Sequence, residues 1–205
     1  LILQGYYNLS DEQTEFQIND RTSFKQFLNL KIGDKVPDEK TVWHFKEQLA
    51  NKNVSQQLFN LFTEQLITQG IVAKEGSMID ASFVDVPRQR NSKDDNADIK
   101  KGAVPLGFAK KDKNGKMSKL FQKDTDARWM SKSGERHYGY KDHINADSKT
   151  KIITKYSVSS AAPHDSTEIE NIVDETDNKL HADSAYRSKE IEEFLKELKC
   201  ESFVH

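Results

Sequence analysis

The sequence predicts an α/β protein, a mixed sheet flanked by helices and preceded by a small helical domain. Three observations carry this. Residues 1–75 place apolar side chains at helical spacing, with capping residues between the segments. From residue 77 the order becomes strand, long polar insertion, strand, strand, helix, strand, helix. The helix before the last strand is the crossover that joining strands in parallel requires.

The helical part comes first. Ser10-Asp-Glu-Gln13 is a capping-box start. Phe24, Phe27 and Leu28 mark the apolar side of a short helix that should stop near Gly33. Pro37-Asp38 opens a helix with Val42, Phe45 and Leu49 at helical spacing, and Trp43 within it reads as core or interface. A third helix carries Val54, Leu58, Leu61, Phe62 and Leu66 on one face, with Asn53 to cap its start and Gly70 to end it. Asp20–Asn51 reads either as a helix-turn-helix or as a plain packing module. Against the first, Asp38–Lys52 holds three acids and three lysines, where a DNA-reading helix usually carries more positive charge.

Ser77–Val86 is the first strand, closed by Pro87, which cannot donate to a sheet ladder. Residues 88–136 differ in character. They hold 14 Lys/Arg against 7 Asp/Glu, a net of +7, which leaves −9 for the rest of a chain whose total is −2. Apolar residues are sparse there, and Gly102, Pro105, Gly107 and Gly115 break the segment. It reads as a solvated insertion or as a basic arm that meets phosphates. His137–Asp147 and Lys151–Ser159 read as a hairpin turning at Asp147–Thr150. Asp165-Ser-Thr-Glu168 caps a helix that buries Ile169, Ile172 and Val173. Lys179–Asp183 is a short strand, and Ser188 caps a helix with Ile191, Phe194, Leu195 and Leu198 at i, i+3, i+4, i+7. The expected domains are therefore 1–75 and 76–205, the second carrying the basic insertion.

Composition narrows the functions. Hydrophobic residues make up 35% and charged residues 31% of the 205, and no apolar run approaches a membrane span. The single Cys200 rules out an intrachain disulfide and suits a reducing, cytoplasmic compartment; it reads as an ordinary thiol near a helix end. No signal peptide is expected from the opening residues. The chain opens at Leu1 and stops at His205 just after a predicted helix, so both ends are expected to be cut.

Asp80 stands in the middle of the first strand, where a carboxylate costs several kcal/mol unless paired. Either it is an edge residue satisfied by hydrogen bonds, or it is a metal ligand. Asp183 ends the fourth strand, and the two come within a few Å if those strands are neighbours. Two close carboxylates repel, and a divalent cation removes the conflict. Oxygen ligands suit Mg²⁺ or Mn²⁺, which also bind phosphate oxygens. Carboxylates, a metal and a basic arm together point to phosphodiester cleavage or transfer.

The local strings sharpen this. They are Tyr7–Ser10, Asp20–Leu28, Pro37–Val42, Ile79–Ala81, Asp126–Trp129, Tyr138–Asp147, Ala162–Asp165 and Ala182–Arg187. In this order they resemble bacterial DDE-type insertion-sequence transposases of family five, along essentially the whole chain. The resemblance implies a ribonuclease-H-like catalytic domain, double-stranded DNA (terminal repeats and target) as partner, and a homodimer. It also implies Asp80 and Asp183 as the first two members of a catalytic, metal-binding triad. The third, a glutamate on a later helix within a tyrosine–arginine–glutamate–lysine signature, is not found after Asp183. Glu190, Glu192 and Glu193 are too near to match. The catalytic domain is thus expected to be C-terminally truncated and inactive in cleavage.

The resemblance makes Lys141 a DNA phosphate contact and His143 a neighbour of the metal site; a solvated sheet face is the other reading. With Asp165 explained as a cap, His164 is left to orient a loop or contact DNA. Arg187 meets a phosphate or pairs with Glu190. Trp129 stacks on a base or packs in the core, and His181 packs. Two other functions remain open, a catalytically dead DNA-binding relic or regulator and a ribonuclease-H-like nuclease without strand transfer.

Overall fold

The computed structural model describes residues 1–105, 108–111, 117–120, 123–132 and 134–204. Gly107 and Gly115 of the basic segment lie outside them. The chain divides into two compact units, Leu1–Leu66 and Ile67–His205.

The first unit is helical: α1 (Ile2–Tyr7), α2 (Asp11–Asp20), α3 (Thr22–Phe27), α4 (Glu39–Asn51) and α5 (Val54–Thr68). Ser10 forms its capping box, accepting from the Gln13 amide at 3.1 Å while the Gln13 side chain accepts from the Ser10 amide at 3.0 Å. Asp38 caps α4 through the Thr41 amide at 2.7 Å. Ile18, Phe24 and Val36 form a small core, with Leu3, Leu9 and Leu30 against it. Residues 28–38 separate α3 from α4, far more than the three or four of a helix-turn-helix. The connection within Asp20–Asn51 is therefore longer than the short turn expected there. Two apolar faces also differ from expectation. Phe27 and Leu28 are exposed beside the buried Phe24, and on α5 Leu58, Leu61 and Phe62 are exposed while Thr63 is buried. Periodicity marks an apolar face but does not say what covers it.

The second unit contains β1 (Ser77–Asp85), α6 (Lys93–Lys100), β2 (Ala109–Lys111), β3 (Met117–Leu120), β4 (Arg128–Lys132), β5 (Glu135–Asp147), β6 (Ile153–Ser160), α7 (Ile169–Ile172), β7 (Lys179–Ala182), α8 (Lys189–Glu197) and β8 (Glu201–Val204). Six strands make one mixed sheet. β5 pairs antiparallel with β1, β4 and β6, while β1 pairs parallel with β7 and β7 with β8. β2 and β3 pair separately. The long strands match the predicted runs; β2, β3, β4, β8 and α6 were not anticipated. The Ser92–Asp95 capping box that starts α6 is nonetheless legible inside the basic segment, and Gly102, at φ +78, follows its end.

One sheet face is covered. Ile79 and Leu180 pack under Ile169, Ile172 and Val173, with Tyr186, Ile191, Leu195 and Cys200 completing the core. Ser188 caps α8 as expected, accepting from the Ile191 amide at 3.2 Å. The chain enters α7 through a 3-10 turn, Asp165–Glu168, and here the expected cap is wrong. His164 caps the turn, its ring accepting from the Ser166 amide, because the Asp165 carboxylate is drawn to Lys141 instead, 2.6 Å away.

Candidate active site

The parallel pairing of β1 and β7 places Ser77 opposite Leu180 and Met78 opposite His181. Carrying that register two residues further sets Asp80 opposite Asp183, and neighbouring strands lie about 4.8 Å apart. The spacing of the two aspartates in sequence equals the offset of the ladder. Both carboxylates are exposed. Asp80 Oδ1 accepts from the Ala81 amide at 2.8 Å. Asp183 leaves β7 and caps a short 3-10 turn, Ser184–Tyr186, accepting from the Ala185 amide at 2.9 Å. Among the described residues no ion pair reaches either carboxylate, so each keeps an oxygen for another partner. Such oxygen donors fit a hard divalent cation. No third His, Cys, Asp or Glu joins them in a metal-binding group among the described residues.

Tyr186 stands beside this pair. It is buried, its hydroxyl has no hydrogen-bond partner, and its phenol is pushed well above the ordinary value. Burial contributes most, followed by the negative charge of Asp165, Asp80 and Asp183. The sequence carried Tyr186 within the Ala182–Arg187 string without giving it a role; nothing local to the string announces a buried phenol among three carboxylates.

Two residues expected to contact DNA lie inside the protein. Lys141 and His143 do alternate on one side of β5, but that side faces inward, with Lys141 1% and His143 0% exposed. The Lys141 ammonium pairs with Asp165 and donates to the Pro163 carbonyl, both at 2.6 Å, and lies 5.7 Å from the centre of the Phe83 ring. A phosphate cannot replace these partners without unburying the lysine. The solvated-face alternative fails for the same reason. His143 opposes Ala81, one residue from Asp80 but on the other face of the sheet. Its Nε2 is 2.8 Å from Ser159 Oγ and its Nδ1 has no partner. Burial holds the imidazole below its usual pKa, with Lys141 adding to this, against the pull of Glu168, Asp165 and Asp142.

The other candidates are reachable. His164 is exposed, its Nδ1 2.8 Å from Ser166 Oγ. Arg187 is exposed four residues after Asp183, and among the described residues it makes no ion pair with Glu190. His181 is exposed and stacks on Phe203 at 5.0 Å rather than packing inside. Trp129 and Trp43 are both half exposed, so neither is core. Sequence reading also missed Asp177, buried at 6% exposure. Its carboxylate accepts from Ser77, from Asn145 at 3.2 Å, from Lys155 at 2.6 Å and from the Asp174 amide at 3.0 Å. These partners come from distant segments, which no local pattern reveals.

A mixed sheet in which two adjacent parallel strands each deliver an aspartate to the same level is the plan of a ribonuclease-H-like domain. Residues 73–204 match the family model described as Transposase DDE domain, and residues 1–48 match the one described as Transposase domain (DUF772). The first covers more than half of the chain, which therefore belongs to the DDE transposase family. Members act on DNA and generally use divalent metal ions. No solved structure matches the chain. Among the described residues no helix is long and apolar enough to cross a membrane.

Proposed function

We propose that the chain supplies the DNA phosphodiester chemistry of a bacterial insertion-sequence transposase of family five, acting in the cytoplasm at terminal repeats and target DNA. The reading is supported by one observation, the parallel β1–β7 pairing of Ser77 with Leu180 and Met78 with His181, a register that two residues further would bring Asp80 level with Asp183. These two carboxylates would hold Mg²⁺ or Mn²⁺. Such an ion, when bound, polarises a phosphoryl oxygen and lowers the pKa of a coordinated water. Arg187, exposed just past Asp183, meets a phosphate of the strand being cut, and His164 meets the backbone beside it. The basic segment 88–136 holds the duplex through its net positive charge. The domains are the helical 1–75 and the catalytic 76–205. The apolar α5 residues Leu58, Leu61 and Phe62, exposed on the first unit, seat a second copy of the chain; sedimentation as a monomer at all concentrations would remove that part.

A second reading has its own support. With two carboxylates and no third ligand among the described residues, the chain holds its ion weakly and does not cleave. It then serves as a DNA-binding relic or regulator. Titration with Mn²⁺ followed by electron paramagnetic resonance tests the site itself. Weak saturable binding is expected, reduced more than about 10-fold by Asp80→Asn and by Asp183→Asn, since even outer partners of metal ligands are worth about 10–100-fold. Equal binding by both variants removes the metal site. Nicking of terminal-repeat DNA by the chain with Mg²⁺ would overturn the inactive reading alone.

A further inference from the structure

The phenol of Tyr186 is not explained by packing. The residue is 1% exposed and lies in the core with Ile79, Ile169, Leu180 and Leu195. A phenylalanine would fill nearly the same space. The hydroxyl has no hydrogen-bond partner among the described residues. A buried hydroxyl left unpaired costs stability, and folded proteins keep few of them. Its presence calls for a role outside the core.

The position of Tyr186 suggests which. It is the last residue of the short turn Ser184–Tyr186, which Asp183 caps. Its amide donates to the Asp183 carbonyl at 3.1 Å. A turn closed in this way keeps its end Cα atoms within about 7 Å of each other. The ring belongs to the same apolar cluster as Ile79, the residue before Asp80. One side chain is thus tied to Asp183 through the turn and to the strand of Asp80 through the core. Burial, then the negative charge of Asp165, Asp80 and Asp183, raises the phenol's pKa, so the oxygen keeps its hydrogen and stands as a donor among acceptors.

Those three acids are not equally free. Asp165 already holds the Lys141 ammonium at 2.6 Å. Asp80 and Asp183 each accept a backbone amide, from Ala81 at 2.8 Å and from Ala185 at 2.9 Å. Among the described residues no side chain donates to either. Carboxylates that ligate a metal are themselves hydrogen-bonded, and those outer partners orient them toward the ion. We propose that Tyr186 is a positioning residue of the metal site: when Asp80 and Asp183 hold a divalent cation, its buried hydroxyl donates to the Asp183 carboxylate and keeps that acid turned to the ion. The proposal rests on Asp80 and Asp183 being the metal ligands. It makes the hydroxyl a group that weakens the fold slightly and strengthens ion binding.

The test uses the whole chain with Trp43→Phe, which leaves Trp129, in the second unit, as the single tryptophan. Tyr186→Phe, Asp80→Asn and Asp183→Asn are each made in it. Mn²⁺ alone is titrated into each protein and followed by electron paramagnetic resonance, and urea unfolding is read from Trp129. Tyr186→Phe should bind Mn²⁺ at least about 10-fold more weakly than its parent, the lower end of what such outer partners supply. Its urea midpoint should equal or exceed the parent's, because an unpaired buried hydroxyl has been removed. A merely structural tyrosine would not separate the two readouts in this way. Unchanged Mn²⁺ binding by Tyr186→Phe overturns the proposal. So does a lower urea midpoint or a failure to fold, since the hydroxyl then holds the fold rather than the acid. If both aspartate variants lose Mn²⁺ and Tyr186→Phe does not, the proposal falls alone. If neither aspartate variant alters binding, the metal reading falls and the proposal with it.

Discussion

The buried pair of Lys141 and Asp165 gives the sharpest energetic test. The Lys141 side chain is 2% exposed and that of Asp165 18%. Removing the carboxylate by Asp165→Ala leaves an ammonium inside the protein with the Pro163 carbonyl and the Phe83 ring for company. Stripping one partner from a buried pair costs about 3–5 kcal/mol. Lys141→Met removes the other partner and keeps the volume. Asp165 is exposed enough for water to reach it, so the expected cost is the smaller ~1–3 kcal/mol of an orphaned polar group. The double variant, with no buried charge left, should be more stable than Asp165→Ala alone, because replacing a buried pair with apolar groups is often close to neutral. Urea unfolding in a Trp43→Phe background, read from Trp129, measures all three within the unit that holds the pair. If Asp165→Ala lies within about 1 kcal/mol of the parent, or the double variant is no better than that single one, the lysine is not buried as described.

Three further outcomes follow from the same unit. Gly139 has φ +155, and a Cβ there would sit 2.1 Å from the Val84 carbonyl oxygen; Gly139→Ala should cost about 3 kcal/mol or more, and wild-type urea stability would refute the close approach of β1 and β5. His143 is kept neutral when folded, because burial lowers its pKa below the ordinary 6.5. The unfolded chain takes up that proton first as pH falls, so its contribution is complete above about pH 6.5 and is lost below it. Unfolding midpoints between about pH 7 and 5 should fall more steeply for the parent than for His143→Gln; parallel slopes would contradict this. Asp177→Ala leaves Ser77, Asn145 and Lys155 without their shared acceptor and should cost about 3–5 kcal/mol, and a change below about 1 kcal/mol in the same urea assay would show the network to be slack.

Much of the sheet was legible because β1, β5, β6 and β7 are apolar runs bounded by turn residues. That β7 runs parallel to an earlier strand followed from the crossover helix before it, whereas its place beside β1 did not. What stayed hidden depends on partners far away in sequence. Alternation placed Lys141 and His143 on the same side of β5 but could not say that this side faces inward, because a buried lysine is tolerable only once Asp165 is folded against it. The same contact misled the reading of Asp165. Locally it is a good helix cap, yet a charge-assisted pair with a buried ammonium outweighs a cap worth about 1 kcal/mol, and His164 takes the cap over. β8 was missed because Glu201–Val204 is four residues with no pattern of its own; it exists through its pairing with β7.

The inward face of β5 also explains how the aspartates are kept at the same level. Lys141, His143, Asn145 and Asp147 are buried at alternate positions, a polar line where an apolar one would be cheaper. Each is tied to a different segment: Lys141 to Pro163 and Asp165, His143 to Ser159, Asn145 to Ile172 and Asp177, and Asp147 to Lys74 and Thr150. Asp177 in turn accepts from Ser77, the first residue of β1, and lies two residues before β7 begins. The start of β1 and the approach to β7 are thereby fixed to one carboxylate. A slip of one residue between these strands would move Asp80 to the covered face and strand Ile79 in water. Apolar contacts alone penalise such a slip only through area. A hydrogen-bonded acid with four assigned donors penalises it through every broken bond, which is a physical reason for a buried acid to stand near the root of the strands that carry Asp80 and lead to Asp183.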